Sequence, residues 1–194
     1  MGTAQQDLQQ ARALPEGDAI RILLTQHAHI RELLDEVRRS SGEERRQAFE
    51  ELRGFLVVHE TAEEMVLRPV TAKVVSQDVA DRRNHEEQQA NEMLAALEDL
   101  DPDGPDFEEQ FSQFASDVGQ HAEQEESEEF PGILTGCDVA ARRSLGRRLE
   151  AAERVAPTRP HPSAAGSTVK QWTVGPFAAL VDRTRDALEH AGRD

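Results

Sequence analysis

At 194 residues, with 37% hydrophobic and 31% charged side chains, the chain has the size of one well-buried domain with a smaller appendage. Its formal net charge of -16, from 38 Asp plus Glu against 22 Lys plus Arg, repels a phosphate backbone and excludes nucleic acid as a partner. A single cysteine, Cys137, excludes an internal disulfide framework, and no run approaches the ~18 apolar residues of a membrane span, so a cytoplasmic protein off the membrane is expected.

Tyrosine is absent, and the strong helix formers Ala, Leu, Glu, Gln and Arg dominate, so the fold class is all-α. The first helix signal is Gly17-Asp18, with Asp18 as N-cap. Ile20, Leu23, Leu24, His27, Ile30, Leu34 and Val37 then recur at helical steps until Ser40-Ser41-Gly42. A second helix is expected over 43–67, with Phe49, Leu52, Leu56, His59, Glu63 and Val66 on one stripe and Pro69 beyond its end. The stretch TAKVVSQD is less regular. A third helix over 79–98 stops before the breaker cluster Asp101-Pro102-Asp103-Gly104-Pro105. The fourth, over 105–129, buries Phe107, Phe111, Phe114, Val118, His121 and Glu125, and Pro131-Gly132 ends it.

Four helices with short connections imply an up-down-up-down four-helix bundle over 18–131. A C-terminal helical extension, 132–194, follows. It holds an Arg-rich helix over 136–154, a flexible linker over 155–168 and a short amphipathic helix over 174–190. That last helix either docks on the bundle or pairs with a second subunit or another partner.

Four of the seven histidines carry the chemical information. His59 precedes Glu63 by four residues, and His121 precedes Glu125 by four. Positions i and i+4 share a helix face, so each pair offers an imidazole nitrogen and a carboxylate to one point. Such donors suit iron, zinc or manganese. The pair recurs in similar company: HETAEEMVLRP and HAEQEESEEFP both place Glu-Glu at the fourth and fifth positions and Pro at the tenth after His. The repeat suggests two helices related by an approximate two-fold axis. His27 and His85 add one histidine to each remaining helix. At roughly 1.5 Å per residue, the four histidines differ in depth by only about 3 to 6 Å, so one layer is expected to hold them all. Four histidines and two glutamates buried without a cation would be costly, and a metal pair compensates them. His29, His161 and His190 show no ligand spacing.

In QHAHIRELLDEV, LVVHETAEEMVLRP, NHEEQQANEML and GQHAEQEESEEFP the chain resembles the haemerythrin-like, or HHE cation-binding, family. The resemblance covers about residues 18 to 131. It implies the ligand set His27, His59, Glu63, His85, His121 and Glu125, with Glu60 as an additional contact. Oxygen-carrying members have a second histidine four residues after the one on the third helix, where this chain has Gln89. They also have an aspartate five residues after the fourth-helix histidine, where Glu126 stands. The pattern is closer to members linked to nitric oxide or peroxide handling, iron–sulphur repair and iron sensing.

The expected cofactor is therefore two iron ions, sharing Glu63 and Glu125 with an oxo or hydroxo bridge and leaving one open position each. Peroxide, nitric oxide or dioxygen is the expected small ligand. Gln89 is expected beside that ligand, with Phe55, Leu56, Met65, Leu94 and Phe114 as a dry wall. Two functions fit: a peroxide- or nitric-oxide-consuming oxidoreductase, and an oxygen, nitric oxide or iron sensor without turnover. Structural zinc fits less well, since it needs only four ligands and no cysteine ligand is offered. The order His-x-x-x-Glu also departs from the Glu-x-x-His of ferritin-like sites.

Overall fold

A computed structural model describes residues 2–156 and 158. The expected terminal helix and nearly all of the linker lie outside the described residues. Among the described residues eight α-helices and one π-helical turn follow in order. They are α1 (Ala4–Arg12), α2 (Ala19–Arg39), α3 (Gly42–Val66), α4 (Arg68–Val74), α5 (Gln77–Glu98), α6 (Pro105–Gln124), the π turn (Glu125–Glu129), α7 (Phe130–Gly136) and α8 (Val139–Glu153). Helices α2, α3, α5 and α6 form the expected bundle, and α1 and α8 pack outside it. Among the described residues no helix is long and apolar enough to cross a membrane.

Local chemistry explains the helix starts. Asp18 caps α2 by accepting from the Ile20 amide at 3.1 Å. Gly42 has φ 60, a left-handed conformation that favours glycine, and its amide donates to the Asp103 carboxylate at 2.9 Å. Helix α1 was not anticipated. Thr3 caps it and Gln6 completes a reciprocal capping box.

The second bundle helix ends at Val66, close to the expected 67, but at both prolines the chain goes on as a further helix. The chain bends at Leu67 and continues as α4, with Pro69 in its first turn. On the other arm the helix loosens into the π turn and continues as α7, with Pro131 in its first turn. Proline is tolerated there because first-turn amides have no intrahelical partner. The two similar segments thus both carry a backbone irregularity just after their His-x-x-x-Glu pair.

The interior divides into two apolar clusters. One gathers Ile30, Leu34, Phe49, Leu52, Phe107, Phe111 and Phe114. The other gathers Leu23, Leu24, Met65, Val66, Phe130, Ile133, Leu145 and Leu149. Between them lies a polar layer in which His27, His59, Glu63 and Glu125 are buried. Helix α8 closes the second cluster. Its Arg142 donates to the second oxygen of the Asp18 cap at 2.8 Å and to the Cys137 carbonyl at 2.6 Å.

Gly146 lets α8 approach closely, since a Cβ there would lie 2.2 Å from the Gly17 carbonyl oxygen. In an exposed helix Gly→Ala gains about 1 kcal/mol. Here Gly146→Ala is expected to lose about 1–3 kcal/mol instead, because backbone must shift. Chemical denaturation checks this, and an unchanged or raised midpoint would mean that α8 is not seated as described.

Candidate metal centre

Helices α2, α3 and α6 deliver their donors as their apolar stripes dictate. His27 lies between Leu24 and Ile30, His59 between Leu56 and Ala62, and His121 between Val118 and Ala122, all of them buried. Helix α5 behaves differently. Its buried residues are Ala80, Arg83, Glu87, Leu94 and Leu97, a regular stripe with two charged members. Glu87 therefore faces the cluster. His85, expected as a ligand, sits two residues away and about 200° round the helix, and it is exposed. The expected four-histidine layer is thus a three-histidine layer with a carboxylate from α5.

The donors form two groups, each with ligand atoms within 4.8 Å of one another: His27, His59, Glu63 and Glu125, and Glu60, Glu63, Glu87 and His121. Glu63 belongs to both. Glu125 spans them as well, with Oε2 3.2 Å from His27 Nε2 and Oε1 3.3 Å from His121 Nε2. Glu60, raised above only as an extra contact, is 5% exposed and fills a place in the second group. The donors are unequally shared: two histidines on one side, one on the other.

Each imidazole is held by its outer nitrogen. His27 Nδ1 donates to Glu126 at 2.8 Å, His59 Nδ1 to the Gln26 carbonyl oxygen at 2.9 Å, and His121 Nδ1 to Glu86 at 2.9 Å. An amide oxygen or an ionised carboxylate only accepts, so Nδ1 carries a proton and Nε2 is the nitrogen turned toward the cluster, available to a metal once any proton on it is given up. This is the orientation metal-ligating histidines adopt. The outer partners are themselves fixed. Arg31 bridges Glu126 and Asp7 of α1, and Gln26 donates to Glu153 of α8 at 2.7 Å.

The interior atoms meet the demands of a cation. His27 Nε2, His121 Nε2, Glu60 Oε2, Glu63 Oε1 and Glu125 Oε2 are buried and lack a hydrogen-bond partner. Orphans of this kind are rare in folded proteins. At the centre lies a residue that sequence reading missed, Arg68. Its guanidinium bonds Glu87 and Glu125, lies 3.5 Å from Glu63 and donates to Glu129 at 2.6 Å. It shows that a positive group is accommodated among these carboxylates.

The protonation pattern points the same way. Burial would lower His27, yet Glu125 and Glu126 raise it to about 9. Burial is likewise outweighed at His121, which Glu125 and Glu60 push well above the ordinary imidazole value. Burial and the charge on His27 hold His59 well below it. Burial, reinforced by Glu125 at Glu63, lifts Glu63 and Glu87 well above the carboxylate range. Glu125 lies well below that range despite burial, because His121 and Arg68 face it. Protons and a guanidinium carry the positive charge that the donors require.

Gln89 is exposed, on the rim of a cavity of about 190 Å³ that reaches Glu60 and His121. Of the expected dry wall only Leu56 lines the inner space beside the histidines, together with Ile30, Leu34 and Val118. Phe55 stacks edge-on against His29, Met65 lies in the second apolar cluster, and Leu94 and Phe114 in the first.

Comparisons with known proteins point to the same fold. The chain is 25% identical over 137 residues to an uncharacterized hemerythrin-like protein of Schizosaccharomyces pombe, covering 69% of this chain and 68% of that one. It shares its fold with the crystal structure of a hemerythrin HHE cation binding domain-containing protein from Mycobacterium kansasii, with a TM-score of 0.64 and 22% identity over 86% of this chain and 98% of that one. The model of the hemerythrin HHE cation binding domain matches residues 18–133, more than half the sequence. With its bundle and its buried His/Glu cluster, the chain belongs to the hemerythrin HHE cation-binding family.

Proposed function

We propose that this is a non-haem di-iron protein that binds and reacts with small oxidants or diatomic ligands. His27, His59, Glu63 and Glu125 hold one ion. Glu60, Glu63, Glu87 and His121 hold the other, with Glu63 shared. The observation that carries the reading is the pair of donor groups joined through Glu63, with all three histidines fixed by Nδ1 and turned inward by Nε2. Iron supplies redox chemistry and open coordination positions for peroxide, nitric oxide or dioxygen.

The protein's own contribution is to orient the donors, limit the size of the ligand and control water. The space beside His27, His59 and His121 is only about 10 Å³, near the minimum for one water molecule. Ile30, Leu34, Leu56 and Val118 make one side of it apolar, while Arg31 and Glu60 also line it. The larger cavity past Gln89 gives a route from solvent to Glu60 and His121. Small, weakly polar ligands fit this description, and larger substrates do not.

One observation favours sensing without turnover. His59 is tied through Gln26 to Glu153 on α8, so a change at the centre has a direct line to the outer helix. Repeated consumption of peroxide or nitric oxide per protein supports the reactive reading. Stoichiometric binding with altered amide-exchange protection of α8 supports the sensing one.

Protein loaded anaerobically with ferrous iron is expected to hold two irons per chain. His59→Ala and His121→Ala are each expected to lose at least one iron and, after exposure to air, the near-ultraviolet absorption of the oxidised pair, whereas His85→Ala keeps both. Elemental analysis with optical spectra decides, and iron content that ignores His59 and His121 sinks the proposal.

Metal uptake is also expected to be pH-dependent. His27 holds a proton in the metal-free fold up to about 9, against ~6.5 in an unfolded chain. The stability it gives the metal-free fold is present below pH ~6.5 and lost as pH rises through about 9. A metal must displace that proton and those on Glu63 and Glu87, so apparent affinity rises with pH over the same window. Calorimetry in buffers of different ionisation enthalpy measures the released protons, and binding without proton release would refute the assignment.

A further inference from the structure

Arg68 is a buried cation for which the donor set above has no use. It is 3% exposed, and its guanidinium is lodged among the carboxylates rather than outside them. Its contacts are not evenly divided between the two positions. Nε and Nη2 both engage Glu87 Oε1, and Glu87 is a donor in the second group alone. Nη2 also takes Glu125 Oε1, the oxygen that faces His121. In the first group His27 Nε2, Glu125 Oε2 and Glu63 Oε1 remain free of hydrogen bonds. At the first position Arg68 comes within only 3.5 Å of Glu63 Oε2, the oxygen that faces His59, whereas at the second it bonds the α5 carboxylate directly through two nitrogens.

A place for the guanidinium to withdraw to is also built in. Glu129, fully buried on the π turn, accepts from Arg68 Nη1 at 2.6 Å and from the Thr71 hydroxyl, yet belongs to neither donor group. Its second oxygen has no hydrogen-bond partner. Glu129 therefore has capacity for a second bond from Arg68 when Glu87 is given up to a metal.

Resting on the di-metal reading above, we propose that Arg68 is a tethered competitor for the second metal position, so that the two positions fill in order and with unequal affinity. The first ion enters the His27, His59, Glu63 and Glu125 group by displacing protons but no charged side chain. The second must take Glu87 from the guanidinium, which moves onto Glu129. Arg68 thereby sets the metal occupancy of the centre rather than touching the ligand.

Anaerobic calorimetric titration of metal-free protein with ferrous iron, and in parallel with zinc, tests this by counting and ranking the binding steps. Wild type is expected to show two steps separated by at least about tenfold in affinity. Arg68→Met is expected to strengthen the second step at least tenfold and leave the first within about threefold, while lowering the melting temperature of the metal-free protein. Arg68→Lys keeps a charge and the fold, but an ammonium cannot span Glu63, Glu87 and Glu125 together. It is expected to strengthen the second step by several-fold, and it decides the matter if Arg68→Met does not fold. A second step unchanged or weakened in Arg68→Lys, or in folded Arg68→Met, overturns the proposal, since Arg68 would then support the site rather than compete for it. Failure of wild type to bind metal, or binding indifferent to His59→Ala and His121→Ala, would instead overturn the di-metal reading itself.

Discussion

The structure turns on carboxylates gathered in one buried layer. Glu60, Glu63, Glu87, Glu125 and Glu129 are all buried in one layer, with Arg68 as the guanidinium among them. Were all five ionised, four negative charges would remain, the amount that two divalent ions carry. Removing an ion from water costs several kcal/mol even after a protein relaxes around it. Such a layer needs positive charge to balance it. Protonated His27 and His121, protonated carboxyls and Arg68 serve that role when metal is absent.

The rest of the architecture follows from isolating this layer. Apolar clusters seal it on both sides, one rich in phenylalanine and one closed by α8. The low dielectric this creates strengthens every interaction inside, including repulsion between carboxylates, so position matters more than donor count. The π turn at Glu125–Glu129 and the bend at Leu67 answer that need. Extra or missing residues in a helical ladder redirect side chains, and such irregularities gather at functional sites. Here they let Glu125 and Glu129 point inward from one arm and bring Arg68 in from the other.

Much of the fold was legible because three of the four bundle helices wear apolar stripes that include their donors. His27, His59 and His121 each sit in phase with leucine, valine or alanine, and the Asp18 cap marked the start of α2. The third bundle helix was legible as a helix but not in phase. Its interior stripe includes Arg83 and Glu87, residues that ordinarily face water, so His85 drew attention by its type while the geometry belonged to Glu87. Arg68 escaped for a related reason: an arginine before Pro69 reads as the polar end of a helix, and only the tertiary fold places it among acids. The Thr3–Gln6 capping box was a usable signal for α1, weakened by the short polar run that follows it.

The outer hydrogen bonds of the three imidazoles run to different parts of the molecule. His27 leads through Glu126 and Arg31 to Asp7 on the N-terminal helix. His59 leads through Gln26 to Glu153 at the end of α8, and His121 through Glu86 to Arg83 on α5. Loss of such a partner commonly changes metal affinity or activity by about 10- to 100-fold without touching a ligand. The scaffold is thus wired as three separate adjusting screws, each reachable from its own stretch of sequence. A lineage or an engineer changing one peripheral residue retunes a single ligand, so descendants of this fold can diverge in reactivity while their donors stay the same.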